Sequence, residues 1–123
     1  AWMHQNKVDY TNTFCHLMNL KTKKDNNYEV NDFQNWKKRW QERLKVNNNT
    51  PEKYMKLMRS VNPLIIPRNH KIEEVLVEAN LDNFEPMNKI LDLLKNPYND
   101  HDNLLEYQIP SNSGKNYQTF CGT

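Results

Sequence analysis

Two thiols and four imidazoles are the side chains of this 123-residue sequence best suited to nucleophilic or metal chemistry. Such chemistry needs its groups to converge. The histidines, His4, His16, His70 and His101, are scattered, and no two stand four apart, the spacing that places a pair of imidazoles on one helix face. Cys15 and His16 are adjacent, but zinc there would need two more ligands from distant segments. Phosphate chemistry is no better supplied. Only two glycines occur, Gly114 and Gly122, so no glycine-rich phosphate loop can be built. Neither Asp-Phe-Gly nor His-Arg-Asp is present, the segments that hold the metal and the base in one large class of phosphoryl transfer. The sequence therefore predicts no catalytic, cofactor-binding or metal-ligating residue in this chain. Cys121 is the one residue left to single out. It stands third from the end, beside Gly122 and Thr123, in a stretch without apolar period. A thiol there can reach a partner cysteine, and an inert terminal cysteine is the other reading.

The elements around these groups read as helices. Tyr10, Phe14, Leu17 and Met18 recur at helical spacing and predict a short helix starting near Asp9 or Thr11, with Cys15 inside it. Residues 1–8 show no period and read as ragged or as attached to sequence not present here. Phe33, Trp36, Trp40 and Leu44 mark a second helix, capped by Asn31 or Asp32 and expected to bury both indoles in a core. Thr50-Pro51-Glu52 opens a third, with the face Tyr54, Leu57, Met58 and Val61 and a stop at Asn62-Pro63. Two more follow within 58–98. One carries Ile72, Val75, Leu76 and Ala79, with Pro67 suited to its first position. The other carries Met87, Ile90, Leu91 and Leu94, with Asp82 and Glu85 as a capping box and Asn96-Pro97 as its end. Between prolines, Leu64-Ile65-Ile66 cannot hide on one side of an extended segment, so this surface calls for partners on both sides. Leu104, Leu105 and Tyr107 suggest one last turn. The expectation is an all-α domain of about five amphipathic helices over residues 1–110, followed by an extended tail, 111–123, carrying Cys121.

Composition narrows the function classes. At 123 residues the chain is one domain at most, able to bury about two thirds of its unfolded surface. A formal charge of +2, with 37% apolar and 26% charged residues, points to no nucleic-acid and no membrane partner. Lys37, Lys38, Arg39 and Arg43 interleave with Trp36 and Trp40, a pattern nucleic-acid platforms also use, but the aromatics share one stripe and Glu42 breaks the charge run. No apolar run approaches 18 residues and no signal peptide is visible. Two cysteines are too few for a secreted disulfide framework, so a cytoplasmic setting is expected. The absence of an initiator Met before Ala1 fits a fragment.

Several blocks, in order, carry a family resemblance. They are Asp9-Tyr10-Thr11-x-Thr13-Phe14, Trp36-x-x-x-Trp40, Met58-Arg59-x-Val61-Asn62-Pro63, Pro67-Arg68-Asn69-His70, Asn96-Pro97-Tyr98 and the terminal Thr119-Phe120-Cys121-Gly122-Thr123. Together they resemble the C-terminal part of the selenoprotein O (SelO/YdiU) family, kinase-like pseudokinases that transfer AMP from ATP to Ser, Thr or Tyr of proteins. The resemblance implies a parent enzyme that binds ATP with Mg²⁺ or Mn²⁺, a kinase-like body as this region's partner, and protein substrates reached through that parent. It implies no activity for this chain alone. It also implies a redox role for Cys121, through a bond to a cysteine of the body. Cys15 would then be a free, buried thiol, and a Cys15–Cys121 bridge is open but not favoured. Arg68 and Asn69 fall inside a resembling block with no role beyond helix-start structure or docking, and His70 beside them reads as solvent-facing or hydrogen-bonding rather than catalytic. The rival class is a free-standing helical protein-interaction module. Several hundred residues of upstream reading frame would decide for the parent enzyme.

Overall fold

The computed structural model describes residues 2–20, 22, 24–46, 50–102 and 104–111. Seven α-helices and one 3-10 turn form its regular structure, with no strand among the described residues. The chain is all-α, as its periodicity predicts. Five helices match the five expected, the last turn suggested by Leu104, Leu105 and Tyr107 is a short helix, and one more short helix is added near the start. The tail expected at 111–123, and Cys121 with it, lies outside the described residues apart from Ser111.

Residues 2–8 are ordered rather than ragged. Helix α1 (Trp2–Gln5) sets the Trp2 ring 4.9 Å from that of Phe33, and Val8 is buried. Lys7 turns the chain at φ 51, and Asp9 then caps α2 (Tyr10–Leu17), its carboxylate accepting from the Asn12 N–H at 2.8 Å. Helix α2 forms the wall between two apolar clusters. Cys15 and Met18 join Leu64, Ile65, Val75, Ile90, Leu93, Leu104 and Tyr107 on one side. Leu17 joins Val8, Tyr28 and Phe33 on the other. Tyr28 is brought there by the 3-10 turn Asn26–Glu29, which Asp25 caps.

Helix α3 (Asn31–Val46) meets the expectation of a buried indole stripe at Trp40 but not at Trp36. Phe33 is its one fully buried residue, and Trp36 is 40% exposed. The Trp36 and Trp40 rings instead lie parallel to each other, centroids 6.1 Å apart, and Trp40 meets Tyr54 edge-on. Trp40 is half-buried and packs against the cluster that Phe33 enters, while Trp36 stays at its edge. Helix α4 (Pro51–Val61) begins and ends as predicted, with Thr50 at its cap and Asn62 at its end, yet buries no residue completely.

Leu64 and Ile65 are both buried, so the segment between the prolines finds cover on both sides within this chain; the Leu64 N–H donates to the Pro97 carbonyl at 2.6 Å. Helix α5 (Asn69–Ala79) starts two residues later than Pro67 suggests, because Arg68 holds the extended cap position. Helix α6 (Glu85–Lys95) ends at Asn96 as predicted, but the capping box is not made. Asp82 takes left-handed φ 61 in the connecting turn, and Asn83 supplies the oxygen that accepts from the Glu85 N–H, at 3.4 Å. Asp82 is thus spent on reversing the chain. Helix α7 (Leu104–Gln108) buries Leu104, Tyr107 and Gln108 and closes the larger cluster.

Candidate functional site

The buried chemistry of the described residues gathers at the start of α2. Both guanidinium ends of Arg68 reach the two carboxylate oxygens of Asp9, each at 2.9 Å, in a bidentate pair whose side chains are 10% and 19% exposed. Asp9 thereby does two jobs. It caps α2, where a negative charge suits the helix dipole, and it holds Arg68, which precedes α5. A cation at the start of α5 opposes that helix's dipole. Directing the guanidinium to the amino end of α2 offsets this with a carboxylate. The backbone carbonyl of Asp9 also accepts from the Thr13 N–H at 3.0 Å and its hydroxyl at 2.7 Å, and that hydroxyl lies 3.2 Å from the Tyr28 phenol.

One turn further along, Asn12 donates to the Gln108 carbonyl at 3.0 Å, and the Gln108 side-chain amide donates to the Leu64 carbonyl at 2.7 Å. That amide also lies 3.9 Å from the Cys15 sulfur. Helices α2 and α7 and the interproline segment are therefore joined through two buried amides. Three polar atoms in this region, Asn12 Oδ1, Gln108 Oε1 and Arg68 Nε, have no protein partner.

The electrostatics suit this arrangement to holding the helices together. Burial pushes the Asp9 carboxyl up, but the hydrogen bonds from Arg68 and from the Asn12 N–H, with the Arg68 charge, outweigh it and leave the carboxyl below its usual value. Burial and the nearby Asp9 charge push the Cys15 thiol up to about 11, so it stays protonated and unreactive at neutral pH. Burial also raises the Tyr28 phenol, partly opposed by its bond to Thr13. His16 stacks on Tyr28 with ring centroids 4.2 Å apart, and burial together with Lys37 lowers its pKa. A base kept ionised by a bidentate arginine and a thiol kept neutral do not activate each other.

The remaining sequence candidates stay apart. His4 is exposed on α1, and His70 is half-buried near the start of α5. A ring nitrogen of His101 lies 3.0 Å from the Asn96 carbonyl. His101 lines a cavity of about 420 Å³ with Asp100, Asp102, Leu104 and Gln108. Among the described residues no three His, Cys, Asp or Glu side chains converge on a metal position. Cys15 is the free, buried thiol expected. Sequence reasoning missed the Asp9–Arg68 pair and Gln108. Asp9 heads one resembling block and Arg68 stands second in another, which was the available signal, but nothing in the spacing joins positions fifty-nine apart. A glutamine ending an apolar turn was the signal for Gln108.

Comparison with known proteins gives this clamp a context. The profile of the family described as "Protein adenylyltransferase SelO" matches residues 1–95, which include Asp9, Asn12 and Arg68. The chain belongs to the SelO family. A SelO relative from Pelagibacter ubique (strain HTCC1062), named protein nucleotidyltransferase YdiU, is 48% identical over 123 residues, covering 99% of this chain and 26% of its own length. Proteins of the same name from Nitrosococcus oceani and Clostridium perfringens (strain SM101 / Type A) are each 39% identical, covering 99% and 98% of this chain and 25% of their own length. The chain thus spans about a quarter of the SelO relatives it matches. No solved structure matches it. No helix among the described residues is long and apolar enough to cross a membrane.

Proposed function

We propose that this chain is the C-terminal helical region of a SelO-type protein adenylyltransferase. In the reaction, a Ser, Thr or Tyr hydroxyl oxygen of a protein substrate bonds to the α-phosphorus of ATP, its proton is lost, and pyrophosphate leaves. A kinase-like body outside these residues would hold ATP and Mg²⁺ or Mn²⁺. The described residues here offer no converging carboxylates for such a metal, so no step is assigned to them. Their role is mechanical: the Asp9–Arg68 and Asn12–Gln108–Leu64 ties fix α2, α5 and α7 into one piece that rests on the body. The observation that carries this reading is the SelO match over residues 1–95 in a chain spanning a quarter of its relatives.

The test is transfer of label from ATP by the full-length protein. Label from the α-phosphate is expected on protein hydroxyls; label from the γ-phosphate alone would mean a phosphotransferase. The 123-residue chain by itself is expected to bind no ATP, and micromolar affinity by calorimetry would overturn this. Cys121 is assigned the regulatory thiol. By disulfide exchange with an oxidised dithiol, it and a cysteine of the body would each lose a proton and together give up two electrons. Cys121→Ser in the full-length protein should then abolish the response of activity to oxidation; an unchanged response removes that role. The exposed apolar side chains of α4–α6 also suit a free-standing interaction module, which a reading frame beginning near Ala1 would favour.

A further inference from the structure

The turn between α5 and α6 is unusual in being both firmly built and apolar on its outside. The Leu81, Asp82 and Asn83 N–H groups donate to the carbonyls of Glu78, Ala79 and Glu78, at 2.9, 3.1 and 3.0 Å, and the Asn83 side chain donates to the Glu78 carboxylate at 2.7 Å. This well-bonded corner nevertheless presents Val77, Leu81 and Phe84, which are 59%, 72% and 48% exposed. Scattered apolar side chains on a surface need no explanation, but three within one fixed corner make a patch that water solvates poorly. The patch continues into a groove of about 500 Å³ between α5, α6 and α7, lined by Val77, Pro86 and Tyr107 and by Glu74, Glu78 and Glu106. Lys71 also lines the groove and pairs with Glu74 at 2.8 Å and with Glu106 at 3.9 Å, leaving the lining acidic overall. Asp82 and Glu85 add further carboxylates at the corner.

We propose that the α5–α6 corner, Val77, Leu81 and Phe84 with its acidic groove, is the surface by which this region docks on the rest of a full-length SelO polypeptide, against an apolar patch rimmed by lysine or arginine. The occupant follows from two observations. About three quarters of a relative's length lies outside these residues, and the carboxylates around the corner complement a basic rim. The inference rests on the reading of this chain as one region of a larger protein and adds the site of contact.

The experiment uses the Pelagibacter ubique relative with its matching quarter replaced by this chain. A photo-reactive benzoylphenylalanine is placed at Leu81 or at Phe84. Cross-links to peptides of the same polypeptide outside these 123 residues are expected. Cross-links confined to the 123 residues, links to a second copy, or none at all overturn the proposal. Carbodiimide labelling of the unsubstituted chimera needs no mutation at the corner. There, Asp82 and Glu85, exposed in this chain, should be modified at least several-fold more slowly than the equally exposed Glu42 and Glu73; equal rates overturn the proposal. Neither readout depends on adenylyl transfer. Labelling of substrates by a chimera with a bare corner would sink the docking site alone, and a covered corner in a chimera that transfers nothing would sink the reaction alone.

Discussion

Helix α2 buries Asn12, Thr13, Cys15 and Leu17 within eight residues, whereas α3, sixteen residues long, buries Phe33 alone. The polar residues of the first helix are inside, and a tryptophan of the second is outside. Apolar content does not explain this. Position does: α2 separates the two apolar clusters and is covered from both sides, while α3 lies against one of them, burying Phe33 fully and Trp40 in part. Burying Asn12 and Thr13 is tolerated because each finds a partner, in the Gln108 carbonyl and in the Asp9 carbonyl with the Tyr28 phenol.

The contrast breaks most readily within α3. Phe33→Ala should cost about 3–5 kcal/mol in urea unfolding, as for a large aromatic removed from a core, and Trp36→Ala less than about 1 kcal/mol. Equal costs would show that α3 is covered along its length. At α2 the sharpest test is Arg68→Ala, which leaves the Asp9 carboxylate mostly buried without its partner. A loss of about 3 kcal/mol is expected, with the Asp9→Ala/Arg68→Ala double variant losing clearly less than the sum of the singles. Strict additivity would mean the two side chains do not act as a pair.

A smaller effect distinguishes the two ends of α2 by pH. Asp9 and His16 both titrate lower in the fold than in the unfolded chain. Each therefore contributes stability that is complete above its unfolded value and is lost as pH falls through the folded one. Stability should decline first below about pH 6.5, from His16, and again below about pH 4, from Asp9. Arg68→Ala should flatten only the lower step; flattening of the upper step instead would reverse the assignment. The smallest effect is chemical. In a Cys121→Ser chain, which leaves Cys15 as its one thiol, Cys15 is buried and raised to about 11 and should resist maleimide at pH 7.5 until the chain unfolds. Labelling of that native variant within minutes would place Cys15 at a surface.

Much of the fold was legible in the residues, for a local reason. Thr50-Pro51, Asn62-Pro63 and Asn96-Pro97 act within a turn of where they stand, so helix ends could be placed from them directly. Asp82 and Pro67 misled because each can serve two local purposes, and the choice is made by how the chain enters the next helix. The site was less legible. Asp9 and Arg68 belong to separate blocks, and the bond between them exists only because the Leu64-Ile65 segment is drawn into the core beside α2.

By itself, then, the sequence determined the helices, their apolar stripes and the SelO resemblance. Those are properties of short stretches and of residue order. Tertiary structure alone decided which stripes are covered, which charge meets which, and that Val77, Leu81 and Phe84 stay outside on a firmly bonded corner. Burial and charge pairing depend on what lies across space from a residue, and neighbours along the chain do not specify that.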